Sequence, residues 1–185
     1  MRILGFVAAI LLIVGASSPA LACRVKVQIV LDDVSHADAV LVGRISNYRI
    51  IRDEAFRQRM LSSPNLSPAL REIYEGGGPL LPDYARFDIE VAEVLVGTVP
   101  SHLSVTWDNS TFAEPEHMTA GPFLIALRDP SSAAPPLRGA SATILVNAEP
   151  ALPTLFQASC ADPFLFGADS DEAAEIRRIL GGQAR

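Results

Sequence analysis

Two cysteines stand far apart in the sequence, Cys23 and Cys160. Cys23 directly follows Ala20-Leu21-Ala22, a small-residue pattern that reads as a signal-peptidase site. Cleavage there makes Cys23 the first residue of an exported chain, with a free α-amine beside a thiol. Such a head group is either a covalent staple or a ligand directed at a metal. Two cysteines in an exported chain most often form one disulfide. A Cys23–Cys160 bridge would close a long loop and restrict the unfolded chain by up to about 5 kcal/mol. No Cys-x-x-Cys spacing supports redox work.

Three other groupings carry chemistry-bearing residues. Glu114, Glu116 and His117 lie close together, a spacing that can hold a metal. Pro115 and the polar loop around them favour a solvated acidic stretch instead. Asp32, Asp33 and His36 could share one face of a helix, as surface polarity also would. His102 and Asp108 flank a strand with Ser104 and Ser110 near them, yet no Gly-x-Ser-x-Gly elbow or Gly-rich phosphate loop accompanies them. The residues therefore argue against an enzyme and imply no cofactor. Trp107 reads as a barrel or rim residue whose indole N–H needs a partner if buried.

The bounds on the molecule come from its start and its charge. Arg2 is a one-residue basic region, Ile3 to Val14 is apolar, and Gly15 to Pro19 breaks the run, as in a removed secretory signal. The apolar stretch is short for a membrane span of about 20 residues. A single membrane anchor is the rival reading, and lipidation at Cys23 is a third, although Ala20 stands where a lipoprotein signal usually has Leu. Residues 1–22 are thus expected to be removed, leaving residues 23–185 as one periplasmic or secreted domain, with no later span. The net charge is −6, and −7 once Arg2 is lost (14 basic against 21 acidic residues). An acidic surface argues against nucleic acid and against an anionic membrane face.

The elements that must position these residues are mainly β. Ile29 to His36 reads as a short helix, and Val40 to Ile51 as a long strand in which Gly43 marks a bulge or tight bend. Residues 52–83 differ in character: two short helical stretches, Ala55–Leu61 and Ser67–Tyr74, are interrupted by prolines and Gly76-Gly77-Gly78. They read as an insertion between the first two strands, its Arg and Glu residues on a solvated surface. Further strands are expected over Tyr84–Val96, Leu103–Trp107, Pro122–Leu127 and Thr143–Val146. Phe156 to Ala161 returns Cys160 to the body. A final helix is expected to be capped by Asp169 with Glu172 three residues on, to bury Ala173, Ile176, Ile179 and Leu180, and to end at Gly181-Gly182. About five bent strands with peripheral helices predict a small closed barrel.

The order of segments resembles a known group. An N-terminal Cys and a short helix precede ADAVLVGRI (Ala37 to Ile45), FDIEVAEVLVGTVPSHLSV (Phe87 to Val105), GPFLIAL (Gly121 to Leu127), ASC (Ala158 to Cys160) and a terminal helix. This is similar to the bacterial relatives of the tissue inhibitors of metalloproteinases, the netrin-module family, over most of residues 23–185 outside the 52–83 insertion. The resemblance implies a five-stranded OB-fold-like Greek-key barrel with peripheral helices and a C-terminal helix. It implies a non-enzymatic protein-binding module whose partner is a zinc metalloprotease. In that family the α-amine and carbonyl of the first Cys chelate the protease zinc and the next side chain enters the specificity pocket. Carried over, Cys23 supplies the chelating atoms and Arg24 the pocket residue. The family's animal members begin Cys-x-Cys; here Val25 stands at the second position. A cell-envelope adaptor that uses the 52–83 insertion, and a small-ligand or metal-binding module that uses Glu114, Glu116 and His117, are the alternative readings.

Overall fold

The first strand dictates the architecture, because its apolar residues are consecutive rather than alternating. β1 (Ala39–Ile51) begins with five buried residues, Ala39 to Gly43. Leu41 and Ile45 point into one core, whereas Val40 and Val42 point into another. A strand buried on both faces needs cover on both. A computed structural model of the chain describes residues 26–78, 80, 83–108, 114–135, 137 and 149–183, and shows what supplies that cover.

On one side the sheet closes on itself. β1 pairs antiparallel with β2 (Tyr84–Val96), which pairs with β3 (His102–Asp108). β3 runs parallel to β5 (Thr154–Leu155), and β5 pairs with β4 (Phe123–Arg128). β4 returns to β1 through Ala39–Leu127 to Gly43–Phe123, closing a five-strand ring. Phe87, Ile89, Val105, Trp107, Ile125 and Leu127 fill it. The ring order 1-2-3-5-4, with its one parallel pair between the third and fifth strands, is that of an OB-fold-like barrel.

On the other side lie a 3₁₀ helix (Leu31–His36), the short strand β6 (Leu165–Gly167) paired on β4, and the C-terminal helix α3 (Asp171–Gln183). Val34, Ala173 and Ile176 from this layer meet Val40, Val42, Leu124, Ala126, Phe156 and Phe164. The helix differs from expectation at both ends. Ser170 caps it, its Oγ accepting the Ala173 N–H at 3.2 Å, and Asp169 lies outside. At its far end it continues through Gly181-Gly182 to Gln183. Arg177 ties it to β2 with two hydrogen bonds to Glu93, of 3.0 and 2.8 Å.

Three irregularities in the β1–β2 pairing bend the strands as the ring closes. The register against β2 shifts between Val40 and Leu41, between Val42 and Gly43, and again between Ser46 and Arg49. At Gly43 a Cβ would stand 2.6 Å from Ile89 Cγ2 and 2.7 Å from the Glu90 carbonyl oxygen, so only glycine lets β1 and β2 approach. Residues 52–83 connect the paired ends Ile51 and Tyr84 and carry the helices α1 (Glu54–Leu61) and α2 (Pro68–Glu75). The expected strand at Thr143–Val146 lies outside the described residues.

Candidate functional site

Three places on the barrel gather side chains that could do more than hold it together. The first is the N-terminal arm, residues 26–30. It is extended and fastened to the turn that carries Cys160. The Val27 N–H donates to the Cys160 carbonyl at 2.7 Å, Val27 bridges Ala161 in parallel, and Lys26 Nζ lies 2.7 Å from Asp162 Oδ2. Cys160 is fully buried and sits in the left-handed region, φ 69°. That conformation is uncommon for a residue with a Cβ, and here it makes the reversal between Ala158 and Ala161. No free cysteine occurs among the described residues. Cys23 and Arg24 lie outside them. Beside the arm is a groove of about 470 Å³, lined by Val27, Ile29, Leu31 and Phe166 with the carboxylates of Asp162 and Glu172. Val30 projects from the arm, 58 % exposed.

The second place is the insertion. Arg57 Nη2 donates to Asp83 Oδ2 at 2.6 Å and to the Gly78 carbonyl at 3.1 Å. The same carboxylate accepts the Asp53 N–H at 3.0 Å and the Leu80 N–H at 2.8 Å. Asp83 therefore ties both ends of the insertion to its first helix. The expectation that the arginines here are solvated fails at Arg57, which is 3 % exposed. Its Nε and Nη1 have no hydrogen-bond partner among the described residues. No local pattern in α1 marks this residue, since its partner is contributed 26 positions later. α2, by contrast, buries none of its side chains. Tyr74 stacks edge-on against Phe56 of α1, leaving Leu70 and Ile73 44 % and 53 % exposed.

The third place is the segment 114–121, which is fastened to β1 by the Ile45 N–H donating to the Ala120 carbonyl at 2.8 Å. Glu114 is buried while Glu116 and His117 are exposed, so the three do not converge. Among the described residues no group of three or more His, Cys, Asp or Glu side chains is placed to hold a metal ion. The bulge after Ser46 turns Tyr48 inward, where its hydroxyl donates to the Pro115 carbonyl at 2.6 Å. Burial, and then the charge of Glu114, raise the Tyr48 pKa well above the ordinary phenol value. A shallow cleft of about 320 Å³ lies between Ser46, Asn47, His117 and Met118.

The remaining groupings resolve into structure. Ser104 donates to Asp88 at 2.6 Å, and Asn47 donates to the other oxygen of the same carboxylate at 2.7 Å. These two bonds hold the Asp88 carboxyl below its usual range. His102 instead contacts Ser101 at 3.2 Å, and Ser110 lies outside the described residues. Asp33 and His36 lie one 3₁₀ turn apart, which replaces the α-helical spacing expected for them. Trp107 is buried in the barrel, yet its indole Nε1 has no hydrogen-bond partner among the described residues.

Fold and surfaces together define a small OB-fold-like barrel with an elaborated connection between its first two strands and a fastened N-terminal arm. No family model, no curated protein and no solved structure matches the chain. Among the described residues no helix is long and apolar enough to cross a membrane.

Proposed function

We infer that this chain is an exported, non-enzymatic protein-binding module that docks through its N-terminal arm, and that its partner is a zinc metalloprotease. The observation that carries the reading is the fastening of Val27 to Cys160 and Ala161. It holds the start of the arm against the barrel, and Cys23 lies only four residues further on, a reach of at most about 14 Å. A Cys23–Cys160 disulfide fits within that reach and would fix the α-amine. A neutral amine and the adjacent carbonyl could then take the open positions of a catalytic zinc and displace the water that the protease activates. Arg24 would enter the neighbouring pocket. This mode is the one the resemblance to the metalloproteinase inhibitors implies.

The test uses the chain beginning at Cys23. Lys26 is the only lysine, so a Lys26→Arg variant leaves the α-amine as the one acylable amine. Inhibition of a panel of zinc endopeptidases by this variant, lost on acetylation, is the expected result. Inhibition that survives acetylation, or none at all, sinks the chelation mechanism.

A second reading is favoured by α2. An eight-residue helix that buries no side chain and leaves Leu70 and Ile73 in water has an unused apolar face. In that reading the chain is a cell-envelope adaptor and the insertion is its contact surface. Pull-down from envelope extracts with Leu70→Asp and Ile73→Asp should then lose a partner that the parent captures, and equal capture rejects the adaptor reading.

A further inference from the structure

The groove beside the arm has a composition that selects its occupant. Its walls are aliphatic and aromatic, from Val27, Ile29, Leu31 and Phe166, and two carboxylates, Asp162 and Glu172, stand on it. Lys26 is the one cation among the described lining residues, and it is paired with Asp162 at 2.7 Å. Glu172 has no ion-pair partner among the described residues. Among the described residues the lining therefore carries one more negative charge than positive, beside an apolar surface.

We propose that this groove receives a lysine or arginine side chain of the docked partner. The chemistry follows from the shape of those side chains: an aliphatic stem that prefers apolar cover and a cationic head that must stay paired or wet. The stem would lie along Ile29, Leu31 and Phe166. Glu172 would accept from the head. Lys26 on Asp162 is the chain's own instance of an ammonium held at this rim. The net charge of −6 adds long-range attraction for a basic partner. A neutral apolar side chain would fill the floor but leave Glu172 uncompensated at its edge.

The inference rests on the arm being the docking face, and it is tested separately from that reading. The probe is Nα-acetyl-arginine amide, titrated into ¹⁵N-labelled protein at constant ionic strength, with Nα-acetyl-citrulline amide as its uncharged counterpart of equal length. Saturable shifts of the Val27, Ile29, Phe166 and Glu172 amides are expected with the arginine probe and not with citrulline. Glu172→Gln, a surface change that leaves both cores intact, should weaken the arginine probe about fivefold, the scale of a partly exposed charge pair. Lys26→Gln should strengthen it, because Asp162 is then released to a second cation. Equal shifts with citrulline, or indifference to Glu172→Gln, overturn the proposal. The titration needs no protease: probe binding without inhibition leaves the groove standing and removes the docking reading. Inhibition without probe binding does the reverse.

Discussion

Arg57 Nη2 and Asp83 Oδ2 lie 2.6 Å apart, with both side chains almost wholly withdrawn from water, although 26 residues of chain separate them. The pair fastens α1 to the residue that precedes β2.

A buried pair is most sensitive to removal of one partner. Asp83→Ala strands the Arg57 guanidinium and frees the Asp53 and Leu80 amides, so a loss of about 3–5 kcal/mol is expected. Arg57→Met keeps the volume and leaves Asp83 still accepting the Asp53 and Leu80 N–H groups, so it should cost clearly less. Urea unfolding of the two variants checks the order. A larger cost for Arg57→Met would mean that the pair is a net source of stability.

Gly43→Ala places a methyl against the Glu90 carbonyl and Ile89. Backbone cannot yield as a flexible side chain does, so a loss of about 1–3 kcal/mol is expected. The thermal midpoint of the variant measures it, and an unchanged midpoint would show that the β1–β2 crossing is looser than described.

Tyr84 donates to Glu149 Oε1 at 2.9 Å, and Arg86 Nη1 lies 3.0 Å from Oε2 of the same carboxylate. Burial, and then the hydrogen bond and charge of Glu149, push the Tyr84 pKa up from 10.0 to about 12. A raised folded pKa favours the protonated form. The contribution is therefore whole below pH 10 and is lost as pH climbs through 12. The stability advantage of the parent over Tyr84→Phe should be flat up to pH 10 and shrink above it. An advantage that grows in that window contradicts the assignment.

Ile51 and Tyr84 are paired directly, so a tight Asn-Gly hairpin could replace residues 52–83. The shortened chain should keep the β signature in far-ultraviolet circular dichroism and a cooperative melt. Loss of both would show that the barrel depends on the insertion.

Local sequence determines the strands and helices of this protein because their signals repeat over short distances. The alternation Phe87, Ile89 and Val105, Trp107 marks β2 and β3, and each holds one face to the barrel core. The consecutive apolar residues of β1 and β4 announce burial on two sides without saying what covers each. Gly43 signals a bend from sequence alone, since only a close approach makes a glycine useful inside a strand. The end of α3 misleads because Gly181-Gly182 are tolerated within a helix whose apolar stripe is already anchored by Ala173 and Ile176.

Tertiary structure alone decides which distant groups meet. Asp83 reaches Arg57, Ser104 takes Asp88 rather than His102, and Glu114 turns inward while Glu116 and His117 remain in water. Side-chain spacing along a chain carries no information about partners delivered by another strand. Those partners are set by the closure of the ring and its registers, and that closure also brings the N-terminal arm, β6 and α3 together around the groove that Glu172 and Asp162 line.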